Sequence, residues 1–266
     1  MKPRPPANQT CGGSPQKNNM KRFRLIRSDP SDAMSNMALD EKIFRAFLED
    51  GIPAFRVYGW ASPSFTYGVS QKPEDEIDMK RCAATGLGIA KRMTGGGVLF
   101  HNNEITYSLV CAKEDIGEPD SVFVSYRKIC SFLISFYRSL GLDASFALEK
   151  EDFKTRCAPH SLCSASREKY DIVINGKKIG GNAQKRKKRA VFQHGSIPIS
   201  VDWPFMRRYT RSLPEDISSG VTTLSEELKL VPDKRILEDI LIAAVAKEFD
   251  AQFIEEECPH EAIMAQ

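Results

Sequence analysis

The dipeptide Asn175-Gly176 constrains the fold of this chain more than any other short feature. It lies between the apolar run YDIVI and the segment KKIGG. An Asn-Gly pair between two strand-like segments is the strongest local signal for a β-hairpin with a two-residue turn, because both turn residues must adopt a positive φ. The hairpin would bring Lys178 back alongside the strand that precedes the turn. We therefore expect Lys178, the flexible pair Gly180-Gly181 and the nearby Cys163 to lie close together.

Cys163 differs from the other cysteines in its surroundings. The chain has seven cysteines, an odd number, and none forms a CxxC pair, which argues against a disulfide framework and a zinc site. Cys111 and Cys130 lie in apolar runs and are expected to be small core residues. Cys163 lies in the polar loop HSLCSAS. A thiol can carry an acyl group as a thioester, and the Lys178 ammonium would favour its thiolate form. The segment therefore indicates acyl-transfer chemistry.

Composition sets the broad class. The chain has 266 residues, of which 41% are hydrophobic and 27% charged, as expected for a globular protein of one or two domains. A net charge of +3 does not favour nucleic-acid binding. No apolar run approaches the roughly 20 residues needed to span a bilayer, so no membrane association is expected. Residues 1–20 are polar, without the apolar core of a signal peptide, and are predicted to be a disordered tail. We expect a cytoplasmic protein.

The pattern of apolar residues predicts a mixed α/β or α+β domain, with mostly antiparallel sheets flanked by helices. Predicted strands are RFRLIR, AFRVYGW, SFTYGVS, GIAKRM, VLFH, EITYSLVCA, SFALE, YDIVI, KKIGG and AVFQHGSIPI. Predicted helices run from a cap at Ser31 or Asp32 to Gly51, near 74–85, over 122–140 and over 234–249. The apolar face of the first is expected to include Met34, Leu39, Ile43, Phe44, Phe47 and Leu48, and that of the last Ile236, Ile240, Leu241, Ala244 and Val245.

Three further features allow more than one interpretation. Three glycines follow Arg92, Met93 and Thr94; they would let the backbone approach a ligand closely, or form only a flexible hairpin loop. The five cations Lys185–Arg189 are typical of a solvated loop, but would also attract an acidic protein partner. His101 and His194 have no second ligand at metal-binding spacing, so hydrogen-bonding or packing roles are favoured and no metal site is expected.

Together the segments KRMTGGGVLFHNNEITYS (91–108), YDIVINGKKIGGNAQKR (170–186) and QHGSI (193–197) resemble the lipoate- and biotin-protein ligase superfamily. The resemblance implies a class II aminoacyl-tRNA synthetase/biotin-ligase-like catalytic domain, here over residues 21–252 with a tail at 253–266. It also implies that an acyl chain binds in a tunnel beneath the glycine-rich loop. The implied catalytic residues are Cys163 and Lys178, and the implied substrate-binding residues are Arg92, Thr94, Gly95, Gly96, Gly97, His101, Gly180, Gly181, Ala183, His194 and Gly195.

Within this superfamily, Cys163 and its spacing to Lys178 are most like the cysteine-dependent octanoyltransferases. The resemblance then implies transfer of an octanoyl or lipoyl group from acyl carrier protein, through a Cys163 thioester, to a lysine of a lipoyl domain of 2-oxoacid dehydrogenases or of the glycine-cleavage H protein. No cofactor is needed, because the thioester is already activated. The short segment after the last helix is also expected to leave no room for the accessory domain of many ligases.

Other functions stay open at this point. Ser164 follows Cys163 where the transferases usually have Phe, and Gly97 completes a triplet that is nearer the ligase form. An ATP- and Mg-dependent lipoate-protein ligase whose accessory domain is a separate chain is therefore an alternative. A lipoyl relay enzyme and a binding module without catalysis are further alternatives.

Overall fold

The computed structural model describes residues 20–117, 121–149, 170–211 and 216–256. In these ranges the strands are β1 (Lys21–Arg27), β2 (Ala54–Tyr58), β3 (Ser64–Tyr67), β4 (Gly88–Lys91), β5 (Leu99–His101), β6 (Asn103–Ala112), β7 (Ala144–Phe146), β8 (Ile172–Ile174), β9 (Lys177–Ile179), β10 (Gly181–Lys187), β11 (Ala190–Ser200), β12 (Val221–Thr222) and β13 (Ala251–Glu256). The α-helices are α1 (Ala33–Asp50), α2 (Pro73–Glu76), α3 (Met79–Thr85), α4 (Val122–Ser139), α5 (Trp203–Tyr209), α6 (Ile217–Gly220), α7 (Leu224–Glu227) and α8 (Lys234–Phe249). Short 3-10 helices lie at Glu114–Ile116 and Ala147–Glu149.

The strands form three sheets. A six-stranded sheet has the order β10-β11-β6-β2-β1-β13, a four-stranded sheet the order β12-β9-β8-β7, and a three-stranded sheet the order β4-β3-β5. Parallel pairs are β1 with β2, β1 with β13, β3 with β4 and β9 with β12, and the other pairs are antiparallel. The prediction of mixed, mostly antiparallel sheets flanked by helices is confirmed.

Both faces of the six-stranded sheet are buried. Successive side chains of a strand point to opposite faces, so each strand contributes to two cores. On β2, Phe55 and Val57 join the large core formed with helices α4 and α8, while Ala54 faces a second core formed with α1. Arg56 and Tyr58 share the α1 face with Ala54, and both are buried. This face therefore carries buried polar groups close to the three-stranded sheet.

Helix α1 begins and ends as its sequence predicts. The Asp32 carboxylate accepts a hydrogen bond from the Ser35 amide at 3.0 Å, and Gly51 ends the helix with φ 72°. Leu39, Ile43, Phe44 and Phe47 are buried as expected. The prediction for Met34 and Leu48 was wrong, since they are 66% and 42% exposed. Their places on the buried face are taken by the polar side chains of Asn36 and Asp40.

The Asn-Gly hairpin is confirmed. Asn175 and Gly176 connect β8 and β9 with φ values of 49° and 76°, the positive angles that a two-residue turn requires. Gly180 follows β9 with φ 72°, and a Cβ atom there would lie 2.1 Å from the Ser196 carbonyl oxygen. Glycine at this position therefore lets the chain pass from the four-stranded sheet into β10.

Several element predictions need correction. Lys185, Arg186 and Lys187 form part of edge strand β10, not a loop, and only Lys188-Arg189 make the turn to β11. Lysine on an edge strand discourages pairing with other chains, so a cation run is compatible with a strand there. The sequence near 74–85 forms two short helices, α2 and α3.

At the other end of the sheet, residues 253–256 belong to strand β13, so the tail proposed to begin at 253 is partly structured. Ile236 of α8 is 53% exposed, whereas Leu237 is fully buried in its place. The predicted strand SFALE ends at Phe146 and continues as a 3-10 helix. Among the described residues, no helix is both long and apolar enough to cross a membrane.

Candidate functional site

An open cavity lies where the three sheets meet, and Lys178 forms part of its wall. We call it the outer cavity. Its lining residues are Leu99, Phe100, Asn102, Glu104, Lys178, Gly180, Gly181, Ser196, Pro198, Ser200, Val201, Trp203, Val221, Thr222 and Thr223. Lys178 comes from β9 and the two glycines from the step between β9 and β10. The hairpin therefore brings the lysine and the Gly-Gly pair together, as predicted.

Lys178 is buried, with only 4% of the residue exposed, and its charge is compensated. Its Nζ atom lies 3.0 Å from Oδ2 of Asp171, which is also buried. Asp171 immediately precedes β8, so the ion pair crosses the hairpin close to the outer cavity. This contact holds the Lys178 Nζ atom in a defined position.

The glycine-rich loop Gly95–Gly97 is held from below by Arg92. The guanidinium donates to the carbonyl oxygens of Gly95 and Gly97 at 3.2 and 2.7 Å. It also donates to the Thr66 hydroxyl at 2.8 Å. Gly68 packs under the same loop, where a Cβ atom would lie only 2.2 Å from the Gly96 carbonyl oxygen. The loop is therefore fixed in the structure rather than freely flexible.

Two carboxylate–histidine–threonine chains support this loop. In the first, Nδ1 of His194 lies 3.2 Å from the Asp40 carboxylate and Nε2 lies 2.7 Å from the Thr94 hydroxyl. In the second, Nδ1 of His101 lies 2.9 Å from Glu104 and Nε2 lies 2.6 Å from the Thr66 hydroxyl, to which Arg92 donates.

In the first chain, a neutral His194 ring with its proton on Nδ1 satisfies both partners. The ring then donates to the carboxylate and accepts from the threonine hydroxyl. His101 also stacks on Trp60, with ring centroids 3.9 Å apart. The hydrogen bonds of His101 and His194 and the stacking of His101 agree with the hydrogen-bonding and packing roles predicted for these residues.

Asp40 is the centre of the first chain. Its carboxylate pairs with the Arg56 guanidinium at 2.9 Å and accepts from the hydroxyls of Ser108 and Tyr58 at 2.9 and 3.1 Å. Burial acts to raise the pKa of Asp40, but the hydrogen bond from His194 and the Arg56 charge hold that pKa below its usual value. Burial lowers the pKa of His194, against the opposing effect of Asp40. The ring is therefore neutral near pH 7.

A second, smaller cavity lies beside Arg92 and His194, which support the glycine-rich loop, and we call it the inner cavity. Its wall consists of Met37, Tyr58, Trp60, Thr66, Arg92, Leu99, His101, Thr106, Gly181, Ala183, His194, Gly195 and Ser196. The two cavities share the wall residues Leu99, Gly181 and Ser196. The geometry suits a ligand with an apolar chain and a reactive group near Lys178.

Most of the predicted site residues come together at these cavities. Those that line one or both are Arg92, His101, Lys178, Gly180, Gly181, Ala183, His194 and Gly195. Thr94 and Gly95–Gly97 lie in the supporting loop and line neither cavity. Cys163, the predicted nucleophile, lies outside the described residues.

Sequence reasoning missed the carboxylates of this site. Asp40, Glu104 and Asp171 each pair with a predicted residue, and Arg56 pairs with Asp40. One signal was available for Asp40 and Arg56: each is a charged residue at a position that the apolar period assigns to the buried face.

Comparisons with known proteins agree with this architecture. Residues 32–254 match the family model described as the lipoyl protein ligase A/B catalytic domain. Octanoyltransferase LipM of Kyrpidia tusciae is 38% identical over 186 residues, covering 69% of this chain and 68% of that protein. Octanoyltransferase LipM of Clostridioides difficile is 29% identical over 245 residues, covering 89% of this chain and 90% of that protein.

Solved structures show the same fold. A crystal structure of lipoate-protein ligase A bound with ATP has a TM-score of 0.71 and 23% identity, covering 89% of each chain. The bipartite lipoate protein ligase of Thermoplasma acidophilum has a TM-score of 0.70 and 23% identity, covering 89% of this chain and 87% of that one. The family match covers the strands and helices that build both cavities, and on this evidence the chain belongs to the lipoyl protein ligase A/B catalytic domain family.

Proposed function

We propose that this protein is an octanoyltransferase of protein lipoylation, which moves an octanoyl group from acyl carrier protein to a lysine of a lipoyl-accepting protein. The structural observation that carries the proposal is the buried Lys178 at the wall of a cavity with apolar lining residues. The similarity to the octanoyltransferases of Kyrpidia tusciae and Clostridioides difficile supports the same reaction. The acceptors are lipoyl domains of 2-oxoacid dehydrogenases and the glycine-cleavage H protein.

The first step transfers the octanoyl group to the enzyme. The Cys163 thiolate attacks the thioester carbon of octanoyl-acyl carrier protein, a new S–C bond forms, and the bond to the carrier thiol breaks. The carrier leaves as a thiolate and takes up a proton. The Lys178 ammonium favours the thiolate form of Cys163 when the two approach.

The second step forms the amide. The neutral ε-amine of the acceptor lysine attacks the Cys163 thioester, releases the Cys163 thiolate and loses a proton to solvent. No ATP is needed, because an amide is more stable than a thioester. In this proposal, backbone amides near Gly180 and Gly181 or in the Gly95–Gly97 loop stabilise the oxyanion of each tetrahedral intermediate, an effect of about 3–4 kcal/mol per donor in enzymes where it has been measured.

Intact-mass measurement tests this function. The full-length protein is incubated with octanoyl-acyl carrier protein without ATP, and we expect an octanoyl adduct that is absent from Cys163→Ala. Addition of an apo lipoyl domain should then remove the adduct and yield octanoylated domain. Absence of any adduct in the wild type, together with ATP-dependent modification of the domain by octanoate, would falsify the transferase.

The ligase is the second candidate, and the glycine-rich loop favours it. Arg92 fixes the carbonyl oxygens of Gly95 and Gly97, which leaves the loop ordered at the edge of the cavities. An ordered glycine loop is suited to anionic oxygens of an acyl-phosphate. In that reaction ATP and Mg would be required and Cys163→Ala would retain activity, so the same assay separates the two functions.

A further inference from the structure

The inner and outer cavities share the wall residues Leu99, Gly181 and Ser196, and Leu99 has the largest side chain of the three. Leu99 is the first residue of β5, separated from the glycine-rich loop only by Val98, and it is half-buried. A Cβ atom placed on Gly181 would lie 3.6 Å from Leu99 Cδ2. Leu99 thus packs against a glycine backbone, and both residues line both cavities. The leucine side chain forms the partition at the place where the cavities adjoin.

The sizes of the cavities show why this partition matters. The outer cavity has a volume of about 60 Å³ and the inner one a volume of about 20 Å³. The inner cavity therefore offers less room to an acyl chain than the outer one. Any carbons that pass Leu99 enter this smaller space.

The inner cavity offers a suitable surface for the end of the chain. Met37, Tyr58 and Trp60 form part of its wall, and all three are buried. Several polar groups of that wall are hydrogen-bonded to one another, as the Thr66 hydroxyl is to His101 and the Trp60 ring nitrogen is to Thr106. A methyl end that contacts these residues would meet apolar surface and satisfied polar groups, at little desolvation cost.

We propose that Leu99 selects the length of the acyl chain. Rotation of its side chain, opposite a glycine that has no side chain to obstruct it, joins the two cavities into one channel. The carbons beyond Leu99 then occupy the inner cavity, whose size limits how many can follow. This inference rests on the proposed function, since it concerns the substrate of the same site.

Chain-length competition tests the inference. The full-length protein receives equal amounts of hexanoyl-, octanoyl- and dodecanoyl-acyl carrier protein, and the acyl-enzyme is followed by intact mass. Leu99→Ala should raise the dodecanoyl-to-octanoyl ratio by about tenfold, because a few methylene groups in an apolar pocket decide selectivity of this size. Leu99→Phe should close the passage and lower the octanoyl-to-hexanoyl ratio by a similar factor.

Ile89→Ala is the matched control, because Ile89 is a half-buried side chain of the same three-stranded sheet that packs in another cluster. Its ratios should equal those of the wild type. Unchanged ratios in both Leu99 variants, with circular dichroism showing native folding, would overturn the inference. If Leu99→Ala fails to fold, Leu99→Val should shift the first ratio in the same direction, and no shift in that variant overturns the inference.

Failure of the proposed function can be recognised separately. If the wild type forms no acyl-enzyme with any carrier thioester, the transferase is wrong. Calorimetric titration with free octanoate and dodecanoate then measures the same selectivity as binding constants. A Leu99→Ala change of about tenfold in the ratio of these constants supports the partition, and an unchanged ratio overturns it.

Discussion

At the scale of single residues, removal of one partner of the buried pair Lys178–Asp171 should destabilise the protein more than replacement of both. Asp171→Ala leaves a buried ammonium without its carboxylate, and we expect a loss of about 3–5 kcal/mol in the free energy of unfolding. The double variant Lys178→Met/Asp171→Leu should lose less, since neither charge remains in the interior. Urea denaturation of the two variants checks this. A double variant less stable than Asp171→Ala would show that other contacts of the pair dominate.

His194 should make the stability of the protein depend on pH. Its pKa in the folded protein lies below the usual 6.5, so the unfolded chain binds the proton first as the pH falls. Its contribution is therefore fully present above pH 6.5 and is lost below it, by at most about 1.4 kcal/mol per pH unit for one proton. His194→Asn should remove this part of the slope between pH 7 and 5.5, measured by urea denaturation.

Thr94→Val is the matched control for this experiment. It removes the hydroxyl that bonds to His194 Nε2 but leaves the titrating ring and its Asp40 partner in place. Thr94→Val should therefore be less stable than the wild type at every pH while it keeps a clear pH slope. Equal slopes in wild type and His194→Asn would show that the ring does not control this dependence.

The sequence identified the histidines, glycines and lysine of the site but not the carboxylates. Lys178 and Gly180 were predictable because the Asn-Gly turn determines their surroundings locally. Asp40 lies on helix α1, and its partners Arg56 and His194 are on β2 and β11. The apolar period of α1 assigns Asp40 to the buried face, but a charged residue in an amphipathic helix ordinarily faces water, and its partners become visible only when α1 packs on the sheet.

At the scale of elements, the step from β9 to β10 depends on Gly180 for space as well as for conformation. Gly51, at the end of α1, has the same φ of 72° as Gly180. A Cβ atom added to Gly51 would have no atom within 4 Å, whereas a Cβ atom added to Gly180 would lie 2.1 Å from a carbonyl oxygen. Gly51→Ala should cost about 1–2 kcal/mol for the left-handed conformation. Gly180→Ala should cost clearly more.

Thermal and urea denaturation of both glycine variants measure the difference. Both variants pay the same cost for the left-handed conformation. Any larger loss in the free energy of unfolding for Gly180→Ala is therefore due to the close approach of β11. Equal losses would mean that the backbone at Ser196 moves aside without cost.

Elements were predictable where the signal is local. The caps of α1 and the β8–β9 turn are formed by neighbouring residues, and both were predicted. Strand β10 was missed because its cation run is typical of a loop, and its pairing with β11 only becomes visible in the sheet. The same holds for β13, whose partner β1 lies at the opposite end of the described chain.

At the scale of the whole molecule, the basic edge should speed the encounter with acidic carrier proteins. Lys187 and Arg189 are exposed at the end of β10 and in its turn. Lys187→Glu/Arg189→Glu should lower the association rate with acyl carrier protein by about tenfold at low salt, with little effect at high salt. Stopped-flow fluorescence measures this rate.

Lys42→Glu/Lys80→Glu makes the same change in charge on exposed positions of α1 and α3. This control should change the rate far less. If both pairs slow association equally, net charge rather than the β10 edge attracts the carrier.

The fold class followed from alternating apolar patterns, and the family from three separated motifs. The order of strands did not follow from either pattern, because β1, β2 and β13 meet through parallel pairs of distant segments. Such pairs leave no local signal in the chain.

The parallel pairing of β1 with β13 also bears on biosynthesis. A ribosome makes β1 among the first of the described residues and β13 among the last. During most of translation, β1 can pair with β2 on one side while its other edge stays open, and Phe23 lacks the cover of Phe253. The nascent chain therefore carries an unpaired strand edge until synthesis is nearly finished, which makes this edge a natural place for chaperone binding.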